Sequence, residues 1–278
     1  MLKAVYSGVP GSYAEEAALQ FFGGEARLLT ASSFGDACAK LAAGEAERAV
    51  LPIENSTTGA ISAVYDLLSR YGFSIVGEEY VRVSHCLLAK PGTELSEIRE
   101  VVSHEQGLSQ SADFLAEHPQ WRCRPVYNTA AAAQMVAAGE DRSLAAIASR
   151  RAAECYGLEI LAARINRREA NYTRFVIVSR DPDFAPGSNK ISILFTLPHT
   201  VGSLCRVLQL FERHGMNLVK IESRPMPERN WEYLFFLDFV TAGEGRWDAL
   251  LSEVEGATQT FRFLGCYPHR ALPDDTQF

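Results

Sequence analysis

Residues 48–71 read RAVLPIENSTTGAISAVYDLLSRY. The start is a short apolar run of strand type, and the end is an amphipathic helix with Ile61, Val64, Tyr65 and Leu68 on one face. Between them, Pro52-Ile53-Glu54-Asn55-Ser56-Thr57-Thr58-Gly59 is a polar junction. A strand that runs through polar residues into a helix is the unit of an α/β sheet, and it places hydroxyls and free amides at the sheet's carboxyl edge. Such an edge suits an anion; the alternative is an elaborate N-cap. Capping accounts for one hydroxyl and not for a run of polar residues, which favours a ligand.

The same alternation extends over residues 1–180 and predicts strands and helices taking turns around a mostly parallel sheet. Strands are expected at 2–6, 48–52, 74–83, 85–89, 100–102, 143–147 and 173–178, and a helix at 14–22 with Ala17, Ala18, Phe21 and Phe22 inward. Residues 180–189, RDPDFAPGSN, concentrate structure breakers and mark a linker over 181–189. Beyond it, strands at 190–196, 216–224, 231–241 and 260–267 enclose helices at 203–214 and 247–255. That order is βαββαβ, the ferredoxin-like motif, in a second domain over 190–268, and 269–278 reads as a loose polar tail.

With 278 residues, 47% of them hydrophobic, two domains are the first expectation. The formal net charge of -7 argues against a nucleic-acid partner. The first residues read as a strand rather than a secretion signal, and no apolar run has membrane-spanning length, so no membrane association and a cytoplasmic location are expected. Cys38, Cys86, Cys123, Cys155, Cys205 and Cys266 are scattered singly, read as buried reduced thiols, and offer no metal-ligand spacing.

Further junctions repeat the first. Ser7-Gly8-Val9-Pro10-Gly11-Ser12-Tyr13 would let backbone approach a ligand, but it lacks the lysine of a phosphate loop and the glycine spacing of a dinucleotide fingerprint. Ser103-His104-Glu105-Gln106 and Asn128-Thr129-Ala130-Ala131 each lead into a helix, where capping is an alternative, and His104 reads more readily as a partnered structural histidine than as an acid or base. Glu54 is either a buried general acid or a carboxylate that accepts helix amides. In Asn171-Tyr172-Thr173-Arg174-Phe175, Arg174 offers a fork for a carboxylate, with a surface ion pair as the alternative, and Thr173 offers a hydroxyl.

Taken in order, Pro52-Ile53-Glu54-Asn55-Ser56, Ser103-His104-Glu105-Gln106, Asn171-Tyr172-Thr173-Arg174-Phe175 and Ile221-Glu222-Ser223-Arg224-Pro225 resemble the motifs of the prephenate dehydratases, and Gly202-Ser203-Leu204 resembles the start of their regulatory motif. The resemblance covers nearly the whole chain. It implies a catalytic domain over 1–180 with two lobes like a type II periplasmic binding protein, lobe 1 about 1–75 and 160–180 and lobe 2 about 76–159, followed by a ferredoxin-like ACT regulatory domain. It implies Thr173 as the catalytic residue, and Glu54, Asn55, Ser56, Thr57, Ser103, His104, Thr129, Arg174 and Phe175 around the substrate. Phenylalanine would bind at Gly202, Ser203, Leu204, Asn217, Leu218, Glu222 and Ser223, between chains of a homodimer or dimer of dimers.

The implied activity is the conversion of prephenate to phenylpyruvate with feedback inhibition by L-phenylalanine, with no metal and no organic cofactor. An arogenate dehydratase and a non-catalytic amino-acid-binding sensor are the alternatives. Glu105 stands where proline is usual, Asn128 where serine often is, and Ser203 and Cys205 within the usual Gly-Ala-Leu-Val, which puts fine contacts and phenylalanine affinity in question. No chorismate mutase helix precedes Met1, so the bifunctional arrangement is not expected.

Overall fold

Strands that end in helices build two sheets from the first part of the chain, as a computed structural model shows for residues 1–166, 170–226, 232–241 and 247–272. The chain runs β1 (Leu2–Ser7), α1 (Tyr13–Phe22), β2 (Ala26–Ala31), α2 (Phe34–Ala42), β3 (Arg48–Asn55), β4 (Gly59–Ala60), α3 (Ser62–Tyr71) and β5 (Ser74–Arg82). It continues through β6 (Cys86–Ala89), β7 (Glu100–Ser103), α4 (Glu105–Gln110), α5 (Ala112–Ala116), β8 (Arg122–Pro125), α6 (Thr129–Ala138), β9 (Leu144–Ala148), α7 (Arg150–Tyr156) and β10 (Glu159–Ala163), and returns in β11 (Tyr172–Ser179). The first sheet has the order β2-β1-β3-β11-β5 with β4 beside β3, and the second β10-β6-β9-β7-β8.

These two sheets are the two lobes, and they differ from the sequence reading in three ways. β5 pairs with β11 along its length and β10 with β6, so the chain crosses between lobes after Arg82 and after Ala163, not near residues 75 and 160. The sheets are mixed rather than mostly parallel: β1 runs parallel to β2 and β3, but β11 is antiparallel to both β3 and β5. β2, α2, β8 and β10 were not anticipated: α2 is amphipathic but short, nine residues, and the exposed β8 is the sequence RCRP.

β12 (Lys190–Thr196), α8 (Ser203–Arg213), β13 (Asn217–Pro225), β14 (Tyr233–Val240), α9 (Asp248–Ala257) and β15 (Thr260–Tyr267) form a ferredoxin-like unit whose sheet order is β13-β14-β12-β15. One face of this sheet packs on its own helices through Ile191, Ile193, Val207, Phe211, Phe239 and Leu250. The other face joins lobe 1: Leu194, Phe236, Leu264 and Tyr267 share one core with Leu51, Tyr65, Ile75 and Val178. The approach is closest at Gly265, φ 154°, where a Cβ would stand 2.0 Å from the Ile75 carbonyl oxygen.

Inside this seam lies a cluster of charges. Arg174, 2% exposed, meets Glu78 at 2.8 Å, Glu54 at 3.0 Å and Asp238 at 2.7 Å, and donates from its remaining nitrogen to the Tyr267 hydroxyl at 2.9 Å. Lys190 adds a contact to Glu78 at 2.7 Å, and Lys220 one to Glu54 at 2.5 Å. The expected loose tail is docked at its start: His269 Nδ1 and the Arg270 amide both reach Glu78 Oε1 at 3.0 Å, while 273–278 lie outside the described residues. Cys38, Cys86 and Cys266 are buried thiols, but Cys123, Cys155 and Cys205 are exposed. Among the described residues no helix is long and apolar enough to cross a membrane.

Removing one member of a buried ion cluster strands the others without compensation. Arg174→Met should therefore lower the unfolding free energy by about 3–5 kcal/mol. Urea denaturation checks this, and a loss below about 1 kcal/mol would mean the seam tolerates unpaired carboxylates.

Candidate active site

Between the two lobes lies a cleft of about 390 Å³. Strands of both sheets end at it, and four helices begin at it. α1 is capped by Ser12 Oγ, which accepts from the Glu15 amide at 3.3 Å, and α2 by Ser33 Oγ, which accepts from the Asp36 amide at 3.1 Å. From the opposite lobe, α4 is capped by His104 Nδ1 at 3.2 Å and α6 by Asn128 Oδ1 at 2.7 Å. These caps line the cleft together with Tyr13, His85, Gln110 and Thr129. Asn128, standing where the motif often has serine, caps its helix fully.

Four helix N-termini give the cleft a positive potential without a cationic side chain. Among the described residues its lining contains no Lys, Arg, Asp or Glu. A larger hollow of about 550 Å³ shares Tyr13 with the cleft and is lined by Glu16, Arg82, Arg150, Arg151 and Arg164, but it holds none of the residues selected from the sequence.

The centre of the cleft is a pair of facing residues. β11 and β3 are antiparallel with Thr173 opposite Asn55 and Arg174 opposite Glu54. Successive side chains of a strand point to opposite faces. Asn55, Thr173 and Phe175 therefore face the cleft, and Glu54 and Arg174 face the C-terminal domain. The Asn55 side chain accepts at Oδ1 from the amides of Thr57 at 3.0 Å and Thr58 at 3.1 Å. That leaves Nδ2 as donor, and it reaches Asn171 Oδ1 at 2.7 Å and Thr173 Oγ1 at 3.0 Å. Thr173 Oγ1 is held as an acceptor, and its own proton is left for whatever occupies the cleft.

The sequence-selected residues thus divide. Asn55, His104, Thr129, Thr173 and Phe175 line the cleft. Ser103 is fully buried and its hydroxyl donates to the Ile147 carbonyl at 2.6 Å, bracing β7 against β9. Ser56 Oγ accepts from the Tyr172 amide at 2.9 Å, and Thr57 contributes its amide to Asn55, so both serve the junction rather than the cavity. Glu54 and Arg174 belong to the buried ion cluster; for Glu54, burial raises the pKa, but the Lys220 hydrogen bond and the Arg174 charge outweigh it and hold the carboxyl below its ordinary value.

Tyr13, His85 and Gln110 were not singled out by sequence. Tyr13 Oη lies 3.0 Å from the Ser84 carbonyl and 3.1 Å from His85 Nδ1, and His85 Nε2 lies 2.9 Å from Gln110 Oε1. This chain ties lobe 1 to lobe 2 across the crossing segment. Burial lowers the His85 pKa against the opposing effect of the Gln110 hydrogen bond, so the ring is neutral. Ser32, Ser33 and Phe34 also line the cleft, at a strand-to-helix junction recognisable only once β2 is known.

In the C-terminal domain a hollow of about 390 Å³ is lined by Pro198, Thr200, Ser203, Leu204, Tyr233 and Phe235 among others. Gly202 precedes α8 with φ 79°, and the Ser203 hydroxyl lies 2.6 Å from the Pro198 carbonyl. Asn217, Leu218, Glu222 and Ser223 are not in this hollow; they lie along β13, the edge strand of the sheet.

A family model described as prephenate dehydratase matches residues 4–183, and one described as ACT domain matches 191–244. The chain is 38% identical over 296 residues to arogenate dehydratase 5, chloroplastic, of Arabidopsis thaliana, covering 99% of this chain and 69% of that protein. It is 34% identical over 274 residues to the bifunctional chorismate mutase/prephenate dehydratase of Escherichia coli K12, covering 96% and 70%. Among solved structures, a prephenate dehydratase in complex with L-Phe from Arthrobacter aurescens matches with a TM-score of 0.87 at 30% identity, covering 96% of this chain and 90% of that one.

Because His85 is buried neutral, the unfolded chain binds a proton that the folded chain refuses once the pH falls below the ordinary histidine value of about 6.5. Its contribution to stability is present above that pH and lost as the pH falls through it. Urea midpoints taken from about pH 7 to about pH 5 should decline, and decline less steeply in His85→Gln. Equal slopes would show that His85 titrates normally in the fold.

Proposed function

This chain belongs to the prephenate dehydratase family, carbon–oxygen lyases of aromatic amino acid synthesis, and we propose that it acts on prephenate itself, is inhibited by L-phenylalanine, and works in the cytoplasm. The observation that carries the choice of substrate is the charge of the cleft. Prephenate brings two carboxylates and a keto oxygen, all of which accept hydrogen bonds. Arogenate replaces the keto oxygen with an ammonium, which needs a carboxylate or comparable acceptor when desolvated. The described lining offers four helix starts, hydroxyls and amides, and no acidic side chain.

The reaction breaks two bonds and makes an aromatic ring. The ring carboxylate leaves as carbon dioxide, its bonding pair enters the ring, and the C–O bond to the ring hydroxyl breaks; the departing hydroxide takes one proton and leaves as water. Thr173 is the catalytic residue in this reading. With Oγ1 already accepting from Asn55, its hydrogen bonds the leaving hydroxyl. A threonine hydroxyl is a weak acid, so the proton itself arrives through a water or a neighbouring group. Thr129 and the starts of α4 and α6, which line the cleft, would hold substrate carboxylate oxygens. Glu54 and Arg174 support the reaction from behind the sheet and do not touch the substrate.

For regulation, support comes from the ACT domain and from the L-Phe complex of the relative. Phenylalanine would sit at the start of α8, against Gly202, Ser203 and Leu204, with Asn217 and Leu218 supplied by a second copy of the chain. Edge strand β13 exposes Val219 and Ile221, 41% and 45%, which a homodimer would cover, alone or as a dimer of dimers. Glu222 and Ser223 on the same strand would shape that site.

Thr173→Val should fold normally and lose turnover by about 10²–10⁴. Phenylpyruvate formation from prephenate reads this directly, and near-normal turnover would remove Thr173 from catalysis. With arogenate, kcat/KM should be lower than with prephenate; the reverse would mean that the hydroxyl and amide oxygens of the lining hold the ammonium without a carboxylate. Calorimetry with L-phenylalanine at millimolar concentration should show binding, and its absence would end the effector reading.

A further inference from the structure

The residue pair at the centre of the cleft has a second pair on its back. On β3, Glu54 precedes Asn55; on β11, Arg174 follows Thr173; and the two pairs are in register. The ladder shifts register between Arg174 and Phe175, so the cross-strand spacing changes immediately beside Thr173. A β-bulge re-aims the side chains around it, and here it adjoins Arg174, which is gripped together with Glu54 on the rear of the sheet. Among the described residues, the grips on that pair from outside the sheet come from the C-terminal domain: Asp238 of β14, Tyr267 of β15 and Lys220 of β13.

Lys220 differs from the other two. Asp238 and Tyr267 lie in the middle of the seam and are fully buried. Lys220 reaches in from the edge strand, lies over the Tyr65 ring at 5.9 Å, and ends on Glu54 Oε2. Two residues further along β13 is Glu222, and four further is Arg224, whose guanidinium donates to Ser62 Oγ at 2.7 Å at the start of α3. β13 thus holds both ends of the junction that carries Asn55: Glu54 before it and Ser62 after it.

We propose that Lys220 is a positioning residue for the dehydratase reaction: its contact with Glu54 sets the Glu54–Arg174 pair, and through the shared backbone of that pair it sets the aim of Asn55 and Thr173 in the cleft. Lys220 never meets the substrate. It acts at the rear of the same two strands, and it does so from the strand on which phenylalanine binding is placed, which makes the position of β13 a determinant of turnover. The claim rests on the reading of Thr173 as the catalytic residue.

The test is Lys220→Met in the full-length chain, which keeps the length of the side chain and removes its charge, with Lys220→Arg as the conservative companion. With prephenate, Lys220→Met should lose about tenfold in kcat while KM stays within roughly threefold, and Lys220→Arg should stay within roughly twofold of the wild type in both. A residue that only stabilised the fold would leave the kcat of the folded fraction unchanged. A folded Lys220→Met protein with wild-type kcat overturns the proposal. If the wild type itself turns over neither prephenate nor arogenate, the dehydratase reading fails, and amide hydrogen exchange decides the positioning separately. Exchange over Tyr172–Val176 about tenfold faster in Lys220→Met would uphold it, and unchanged exchange would overturn it.

Discussion

A guanidinium buried among three carboxylates holds this molecule together. Placing Arg174 in the seam costs desolvation that only close partners offset, and its partners come from four strands in two domains: β3, β5, β14 and β15. With Lys190 and Lys220 the cluster balances three cations against Glu54, Glu78 and Asp238. The desolvation is tolerable only while the C-terminal sheet stays against lobe 1, so the charge cluster and the shared apolar core around Tyr65, Phe236 and Tyr267 depend on each other. The alternation of side chains along β11 then separates two environments by the thickness of one sheet: charge on the rear, hydroxyls and amides in the cleft.

That separation explains why the cleft can suit a dianion without a cation of its own. A lysine or arginine in the cleft would bind carboxylates in substrate and transition state alike, and uniform binding does nothing for kcat. Helix starts from both lobes supply fixed dipoles instead, and fixed dipoles need no reorganisation as charge moves from the ring carboxylate to the departing hydroxyl. His85, buried between Tyr13 and Gln110 beside the cleft, is held neutral by that burial.

Much of the architecture was legible in the sequence, and what was missed has physical reasons. Strands such as Lys190–Thr196 and Thr260–Tyr267 announce themselves because they are short stretches rich in β-branched and aromatic residues with breakers nearby on both sides. The junctions at Asn55, His104 and Thr129 were visible as polar residues in succession between a strand and a helix, and Thr173 through the resemblance of its motif. Arg174 was visible as a residue but not as a role: its partners are distant in sequence, and nothing in Thr173-Arg174-Phe175 says which face of the strand each side chain takes until β11 is seated between β3 and β5. His85 escaped for a related reason, since it stands in a crossing segment with no periodicity and its partners come from two different lobes. The docking of His269 and Arg270 depends on Glu78, a carboxylate far from them in sequence.

Gly265 draws one more line through the molecule. With its φ of 154° and the Ile75 carbonyl where a side chain would begin, it lets β15 lie against β5 with no room for sliding. Lobe 1 and the C-terminal domain thereby share a core beside the ones each keeps to itself. Lobe 2 shares no sheet with either, joins lobe 1 through the two crossings after Arg82 and Ala163, and touches it at contacts such as the Ser149 hydroxyl on the Gly11 carbonyl. The breaker-rich linker between the two sequence domains therefore joins parts that share a core, whereas the two lobes inside the first of them are joined by two chain crossings and face each other across the cleft.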